Sequence, residues 1–325
     1  MTLNADMDPA ANSSDDDSTA KFDRDELVRG WREYESRQPR AVPVLKYAAK
    51  TDMGQVRENN EDKFDWYEPE DPALLAARGC LFLVGDGIGG AQAGQIASEM
   101  TAKLVISGYY NDGAEEVQLA LYNAITSAND RVYHLAQMIP ERNGMGTTLT
   151  AVVFQEERAI IAQVGDSRAY LIRQGAIQQI THDHSWVEEN VRAGLMTRED
   201  AETSPFRNVI TRSVGAASEV YPEFFEAHLI PGDTWVLCSD GLTGYVKDDE
   251  LLQIAGASAP SEAVRQFIEL ANSRGGRDNI TVFIIRIDDI LRPVASEAPG
   301  QLDSTPDSTS AKPASGLRRL FGRAG

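Results

Sequence analysis

Strand-like runs in this chain come in groups joined by short links, while helical patterns stand in blocks of their own. That order constrains the fold more than any other feature. Apolar runs rich in Val, Ile, Leu, Thr and aromatics occupy Val44–Lys50, Cys80–Gly85, Thr147–Phe154, Ala159–Val164, Ala169–Arg173, Phe224–Leu229, Thr234–Cys238 and Ile280–Ile287. Gln155-Glu156-Glu157-Arg158 and Gln174-Gly175 are links short enough for hairpins. Helical spacing fills about 93–107, 115–137, 249–255 and 261–272. Strands that follow each other so closely pair antiparallel, because a parallel crossover needs a dozen residues or more. The expected class is α+β rather than a doubly wound parallel sheet.

Several of these runs end on a carboxylate. Leu83-Val84-Gly85-Asp86-Gly87, Val164-Gly165-Asp166-Ser167 and Cys238-Ser239-Asp240-Gly241 each carry an apolar strand straight into Asp, and Arg277-Asp278-Asn279 precedes another strand. Asn60-Glu61-Asp62 adds a further acidic cluster after the first strand. One such Asp is an ordinary turn former. Four at the edge of one core are costly unless they are paired or ligate metal. Cys80 and Cys238 are isolated in apolar surroundings, which reads as buried free thiols in a reducing compartment, and the four histidines show no ligand spacing. An oxygen-only donor set selects hard cations, Mg²⁺ or Mn²⁺. Two such ions sharing Asp86, with the Gly87 carbonyl beside it, would acidify a water and clamp a phosphoryl group. Arg57, four residues before Glu61, supplies a guanidinium that can grip two phosphate oxygens at once.

Charge agrees with that reading. The 325 residues carry a formal net charge of −19, and the segment between the two ends holds most of it. Such a field opposes folding unless carboxylates gather around cations, and it excludes sequence-independent binding to nucleic acid. No apolar run is long enough for a membrane-spanning helix, and the first 30 residues lack the basic-then-apolar order of a signal peptide, so a cytoplasmic protein is expected. Three segments are expected: an acidic extension over 1–43, disordered at first and then able to form a short helix over 21–37; a globular domain over 44–290; and a flexible tail over 291–325. That tail finishes in the basic and apolar Leu317-Arg318-Arg319-Leu320-Phe321.

Seven motifs stand in one order: Thr51-Asp52-x-Gly54-x-Val56-Arg57-x-x-Asn60-Glu61-Asp62, Asp86-Gly87-Ile88-Gly89-Gly90, Gly144-Met145-Gly146-Thr147-Thr148, Val164-Gly165-Asp166-Ser167-Arg168, Thr181-x-Asp183-His184-Ser185, Ser239-Asp240-Gly241 and Arg277-Asp278-Asn279-Ile280-Thr281. Together they resemble the metal-dependent protein phosphatases (PPM, or protein phosphatase 2C-like), in their compact bacterial form. The resemblance implies a four-layer α-β-β-α sandwich with two central antiparallel sheets and a cleft at one end. It implies hydrolysis of phosphoserine and phosphothreonine in proteins, and hence a cognate serine/threonine kinase pathway. By position, Asp86 resembles the carboxylate shared by two metals, with the Gly87 carbonyl, Asp240 and Asp278 as further ligands. Asp166 falls where a third, weaker metal is held, and Glu61 and Asp62 match residues beside the ions or their waters. Arg57 matches the phosphate-binding arginine, and 185–213 the flap beside the cleft, with Gly194 and Pro205 as break points.

Ile88 and Ala91 stand where relatives often carry histidine, which puts a histidine general acid in doubt. His184 is the remaining candidate by motif, although Asp183-His184-Ser185 reads better as the cap of a flap helix. A catalytically silent phosphoprotein-binding module on the same fold is the alternative. Loss of metal carboxylates would mark it, and Asp86, Asp240 and Asp278 are all present.

Overall fold

A computed structural model describes residues 37–292. The expected helix over 21–37 and the basic segment after 316 lie outside the described residues. Twelve strands form among those residues: β1 (Val42–Asp52), β2 (Lys63–Tyr67), β3 (Cys80–Gly85), β4 (Gly87–Ile88), β5 (Gly146–Thr147), β6 (Leu149–Gln155), β7 (Arg158–Val164), β8 (Arg168–Arg173), β9 (Ala176–Gln179), β10 (Glu223–His228), β11 (Thr234–Cys238) and β12 (Ile280–Leu291). The helices are α1 (Pro72–Arg78), α2 (Ala91–Asn111), α3 (Val117–Met138), α4 (Trp186–Arg192), α5 (Arg198–Thr203), α6 (Asp240–Thr243), α7 (Asp248–Ala257) and α8 (Pro260–Ser273), with one 3-10 turn over Pro140–Arg142.

Two five-stranded sheets, ordered β1-β12-β11-β8-β9 and β10-β7-β6-β3-β2, are antiparallel throughout. Side-chain alternation builds the layers. On β3, Phe82 and Val84 point between the sheets, where they meet Phe154, Trp235, Phe283 and Ile285. Leu81 and Leu83 point the other way, into a core with Val105 and Tyr109 of α2 and Leu121 and Ile125 of α3. On β12, Val282 and Ile284 pack outward against Phe267 and Ile268 of α8. Both faces of both sheets are therefore covered, which is why their central strands read as near-continuous apolar runs. The α-β-β-α sandwich is the observed architecture.

Some elements differ from the sequence expectation. β1 starts at Val42 and takes in Pro43, tolerated because β1 is an edge strand. β2, α1 and β9 are additional. β2 (Lys-Phe-Asp-Trp-Tyr) mixes charge with aromatics because it too is an edge, and α1 is a short helix capped by Asp71 with Pro72 in its first turn. Both cysteines are buried and free, as expected, and burial pushes each thiol up to about 12.

Candidate metal centre

The carboxylates converge because strand ends do. β2 begins directly after Asp62, β3 ends directly before Asp86, α6 begins at Asp240 directly beyond β11 and Ser239, and β12 begins shortly after Asp278. Pairing of Lys63 with Gly85, and of Cys238 with Val282, keeps those ends level. Asp166 follows β7, in the loop that leads to β8.

Backbone bonds hold each carboxylate loop. The Asp86 N–H donates to Thr148 Oγ1 (2.9 Å), while Thr147 Oγ1 and the Thr148 N–H both donate to the Asp86 carbonyl (2.9 and 2.8 Å). Thr148 Oγ1 in turn meets Ser167 Oγ at 2.7 Å, tying the Asp86 loop to the Asp166 loop. Asn279 accepts the Glu61 N–H (2.8 Å) and donates to the Met53 and Asn59 carbonyls (3.0 and 2.9 Å), which pins the loop carrying Arg57. Ser239 Oγ donates to Asp62 Oδ2 (2.7 Å) and accepts the Thr281 N–H (3.0 Å). Thr147, Thr148, Ser239 and Asn279 belong to motifs visible in the sequence, yet their spacing gave no hint that they hold the acidic loops in place.

Two glycines are required by close approach. Gly54 has φ +78°, and a Cβ there would drive into the carbonyls of Asp278 and Gly276. At Gly87 the backbone is ordinary, and what demands glycine is close contact with the Gly94 carbonyl and with the Glu61 carbonyl 2.7 Å from a would-be Cβ.

The site grades from a dry floor to an open mouth. Asp62 is 1 % exposed, Glu61 and Asp166 are buried, Asp86 and Asp240 are half-buried, and Asp278 and Arg57 stand nearest solvent. Burial raises the Asp62 carboxyl to about 7 and Asp166 to about 8, with the Asp240 charge adding to both. Asp86 is raised well above the carboxylate range by burial and by the charges of Asp62, Asp240, Asp166 and Asp278. Asp240 is raised by burial and by Asp278, and is partly relieved by Asp86. Glu61 is raised by burial. Among the described residues no nearby cation offsets this charge in full. Arg168 is taken by Asp183 (Nε–Oδ1 2.9 Å, Nη2–Oδ2 2.7 Å), and Arg57 reaches Asp278 at 2.8 Å.

This donor set fits divalent cations. Asp62 Oδ1, Asp166 Oδ1 and Asp240 Oδ1 are buried and lack any hydrogen-bond partner, an arrangement that is expensive unless a positive charge completes it. Among the described residues no three acidic, histidine or cysteine side chains close into a ready-made cage. Mg²⁺ and Mn²⁺ suit that openness, because such hard ions keep several waters among few carboxylates.

His184 is tied into the fold. It is fully buried; Nδ1 accepts the Gly165 N–H (3.2 Å) and Nε2 lies 3.2 Å from Glu223 Oε2, so both ring nitrogens are engaged. Ser185 alone caps α4, accepting the Glu188 N–H, while Asp183 holds Arg168. Residues 185–213, expected to form a flap, carry α4 and α5, with a backbone bridge between Ser185 and Ile210.

Comparison with known proteins agrees with this geometry. Residues 50–190 match the family model of Protein phosphatase 2C. A serine/threonine phosphatase (stp) from Listeria monocytogenes is 37 % identical over 244 residues, which span 74 % of this chain and 94 % of that protein. The chain belongs to the protein phosphatase 2C family. It is therefore a metal-dependent hydrolase of the serine/threonine phosphatase class, with magnesium or manganese as its ions. Serine/threonine phosphatase Stp1 from Staphylococcus aureus superposes with a TM-score of 0.70 at 35 % identity, covering 78 % of this chain and 98 % of that one. The catalytic domain of phosphatase PstP, solved in complex with two manganese ions, superposes with a TM-score of 0.64 at 35 % identity, covering 76 % and 99 %.

Proposed function

We propose that this protein removes phosphate from phosphoserine and phosphothreonine in other proteins, with Asp86, the Gly87 carbonyl, Asp240 and Asp278 holding a pair of Mg²⁺ or Mn²⁺ ions. The observation that carries this reading is the ring of carboxylates around orphaned, buried oxygens, with a single arginine at its mouth. Bound there, divalent ions supply Lewis acidity, making water nucleophilic at neutral pH and offsetting phosphoryl charge.

The chain's own residues do the rest. Asp86 faces Asp62, Asp166, Asp240 and Asp278 together, so it is the side chain best placed to be shared. Asp166, backed by the Thr148–Ser167 hydroxyl pair, offers a further, weaker ligand. Asp62 is fixed by Ser239 and Glu61 by Asn279, and both orient groups around the ions from the dry floor. Arg57 is the phosphate-binding residue: half exposed, it needs only to swing from Asp278 to present parallel N–H donors to an incoming phosphate. With His184 engaged on both nitrogens, the leaving alkoxide takes its proton from water. We assign the protein to the cytoplasm, opposite a serine/threonine kinase, which agrees with two buried thiols and with the lack, among the described residues, of any helix long and apolar enough to cross a membrane.

The test is hydrolysis of p-nitrophenyl phosphate and a phosphothreonine peptide with Mn²⁺, with and without chelator. Chelation should abolish turnover, as should Asp86→Asn in a folded protein. Turnover indifferent to chelator would refute the reading.

A further inference from the structure

The edge of the sandwich that carries the Arg57 loop leads away from the carboxylates into a cleft the reaction does not use. β1 and β2 are the outermost strands of their sheets on this side, and the loop bearing Arg57, Glu61 and Asp62 joins them. At the far end of β2, a cleft of about 600 Å³ is lined by Tyr47 of β1, Trp66 and Tyr67 of β2, and Glu68, Pro69 and Glu70 beyond it. Trp66, 41 % exposed, turns with Tyr47 to the face between the sheets, while Tyr67, 43 % exposed, alternates to the helix side, so the ring surface the cleft offers is that of Trp66 beside Tyr47.

The cleft's polar groups are organised. Trp66 Nε1 donates to Tyr47 Oη (3.2 Å), and that hydroxyl donates to Glu68 Oε2 (3.1 Å). The Tyr47 and Trp66 rings meet edge to face at 5.9 Å, and Tyr67 leans on Tyr110 at 4.6 Å. The rings are therefore held in place rather than free to collapse over the opening. Among the described residues no lysine or arginine lines the cleft, while Glu68 and Glu70 rim it. Ring faces beside carboxylates bind a guanidinium or ammonium through both cation–π and ionic attraction.

Its position supplies the occupant. Trp66 lies four residues beyond Asp62 on β2, about 13 Å at roughly 3.3 Å per residue. Tyr47 lies five residues before Asp52 on β1, about 17 Å by the same rise. An extended peptide covers that span in about four to six residues. The outer side of β2 has no strand beside it among the described residues, so such a peptide can run along that edge.

We propose that this cleft is a docking subsite for an arginine or lysine of the substrate protein, placed about four to six residues from the phosphorylated serine or threonine. The proposal rests on the phosphatase reading above and adds the kind of sequence that the site prefers. It makes Trp66 and Glu68 specificity residues that act through substrate binding, remote from the reacting atoms.

The experiment uses full-length protein with Mn²⁺ and a set of phosphothreonine peptides carrying one arginine, or alanine in its place, at offsets of about three to seven on either side. p-Nitrophenyl phosphate, too small to reach the cleft, reports on the reaction centre alone. At one or two adjacent offsets arginine should raise kcat/KM about five- to tenfold through KM, the range a partly exposed cation–π contact supplies. Trp66→Ala and, separately, Glu68→Gln should erase that preference and leave p-nitrophenyl phosphate turnover unchanged, which also shows that each variant is folded. Equal kcat/KM for arginine and alanine peptides at every offset would overturn the proposal, as would a preference that survives in both variants. A wild-type dimer that Trp66→Ala dissolves would overturn it too, since the cleft would then bind a second copy of this chain. Failure of the phosphatase reading is a different result: neither substrate turns over at all.

Discussion

Stripping divalent metal from the protein and then raising the pH should destabilise it, because the site was built for charge that is then missing. Asp62 is pushed to about 7 and Asp166 to about 8, from an ordinary 3.8. A carboxyl raised in the folded state favours folding while it holds its proton. That contribution is complete below pH ~4 and is lost as pH rises through about 7 to 8. At about 1.4 kcal/mol for each tenfold change in proton affinity, the Asp62 displacement corresponds to about 4 kcal/mol and that of Asp166 to about 6. Burial is the larger cause in both and repulsion with Asp240 is shared, so at least about 4–6 kcal/mol is expected for the cluster, short of their full total. For a domain of this size that is a fall in Tm of roughly 10–20 °C between pH 4 and pH 9. Calorimetry in chelator measures it. Asp86→Asn is the control: Asp86 is itself raised well above the carboxylate range by burial and by the charges of Asp62, Asp240, Asp166 and Asp278, so removing its titrating group removes that contribution, and the chelated variant should melt higher than wild type at pH 9 and show a shallower slope. Saturating Mn²⁺ should restore most of the loss in wild type and far less in the variant. A chelated wild type whose Tm is flat or rises over this range, or a variant with the same slope, would refute the reasoning.

Three further outcomes follow from the same geometry. Arg57→Ala should lower kcat/KM on phosphopeptide about 30- to 100-fold, the worth of a charge-assisted phosphate contact; Arg57→Lys should recover little, and full recovery in steady-state kinetics would show that the planar fork is not used. Gly54→Ala should cost about 2–3 kcal/mol in denaturant melts, since it adds strain at φ +78° and a clash with the Asp278 carbonyl, and an unchanged midpoint would contradict the close approach. Asn279→Ala should destabilise by about 1–3 kcal/mol and weaken Mn²⁺ activation, because it unties the Glu61, Met53 and Asn59 backbone together. Metal affinity equal to wild type would show that this loop is not what places Glu61.

The core and the acidic strand ends could be read from the chain because both follow local rules. Central strands such as β3 and β11, covered on both faces, are almost wholly apolar and match the expected bounds, and strand-end Asp-Gly pairs mark where carboxylates leave the core. Edges were harder. β2 and β9 face water on one side, so Lys63, Asp65, Gln178 and Gln179 dilute their patterns. The supports of the site were hidden for a different reason. Thr148 reaches Asp86 across 62 residues and Asn279 reaches Glu61 across 218, distances over which no periodicity speaks. His184 shows how a motif can mislead about role: its place in the sequence admits a general acid, but burial and two engaged nitrogens make it part of the flap's root.

The central claim is that Asp86 is shared by a pair of divalent ions, and counting those ions tests it directly. Native mass spectrometry of wild type, Asp86→Asn and Asp166→Asn in Mn²⁺ gives the count without any reaction. The expected result is at least two ions on wild type, none retained tightly by Asp86→Asn, and the tight pair intact in Asp166→Asn. An Asp86→Asn protein that still carries two tightly held ions would contradict the account.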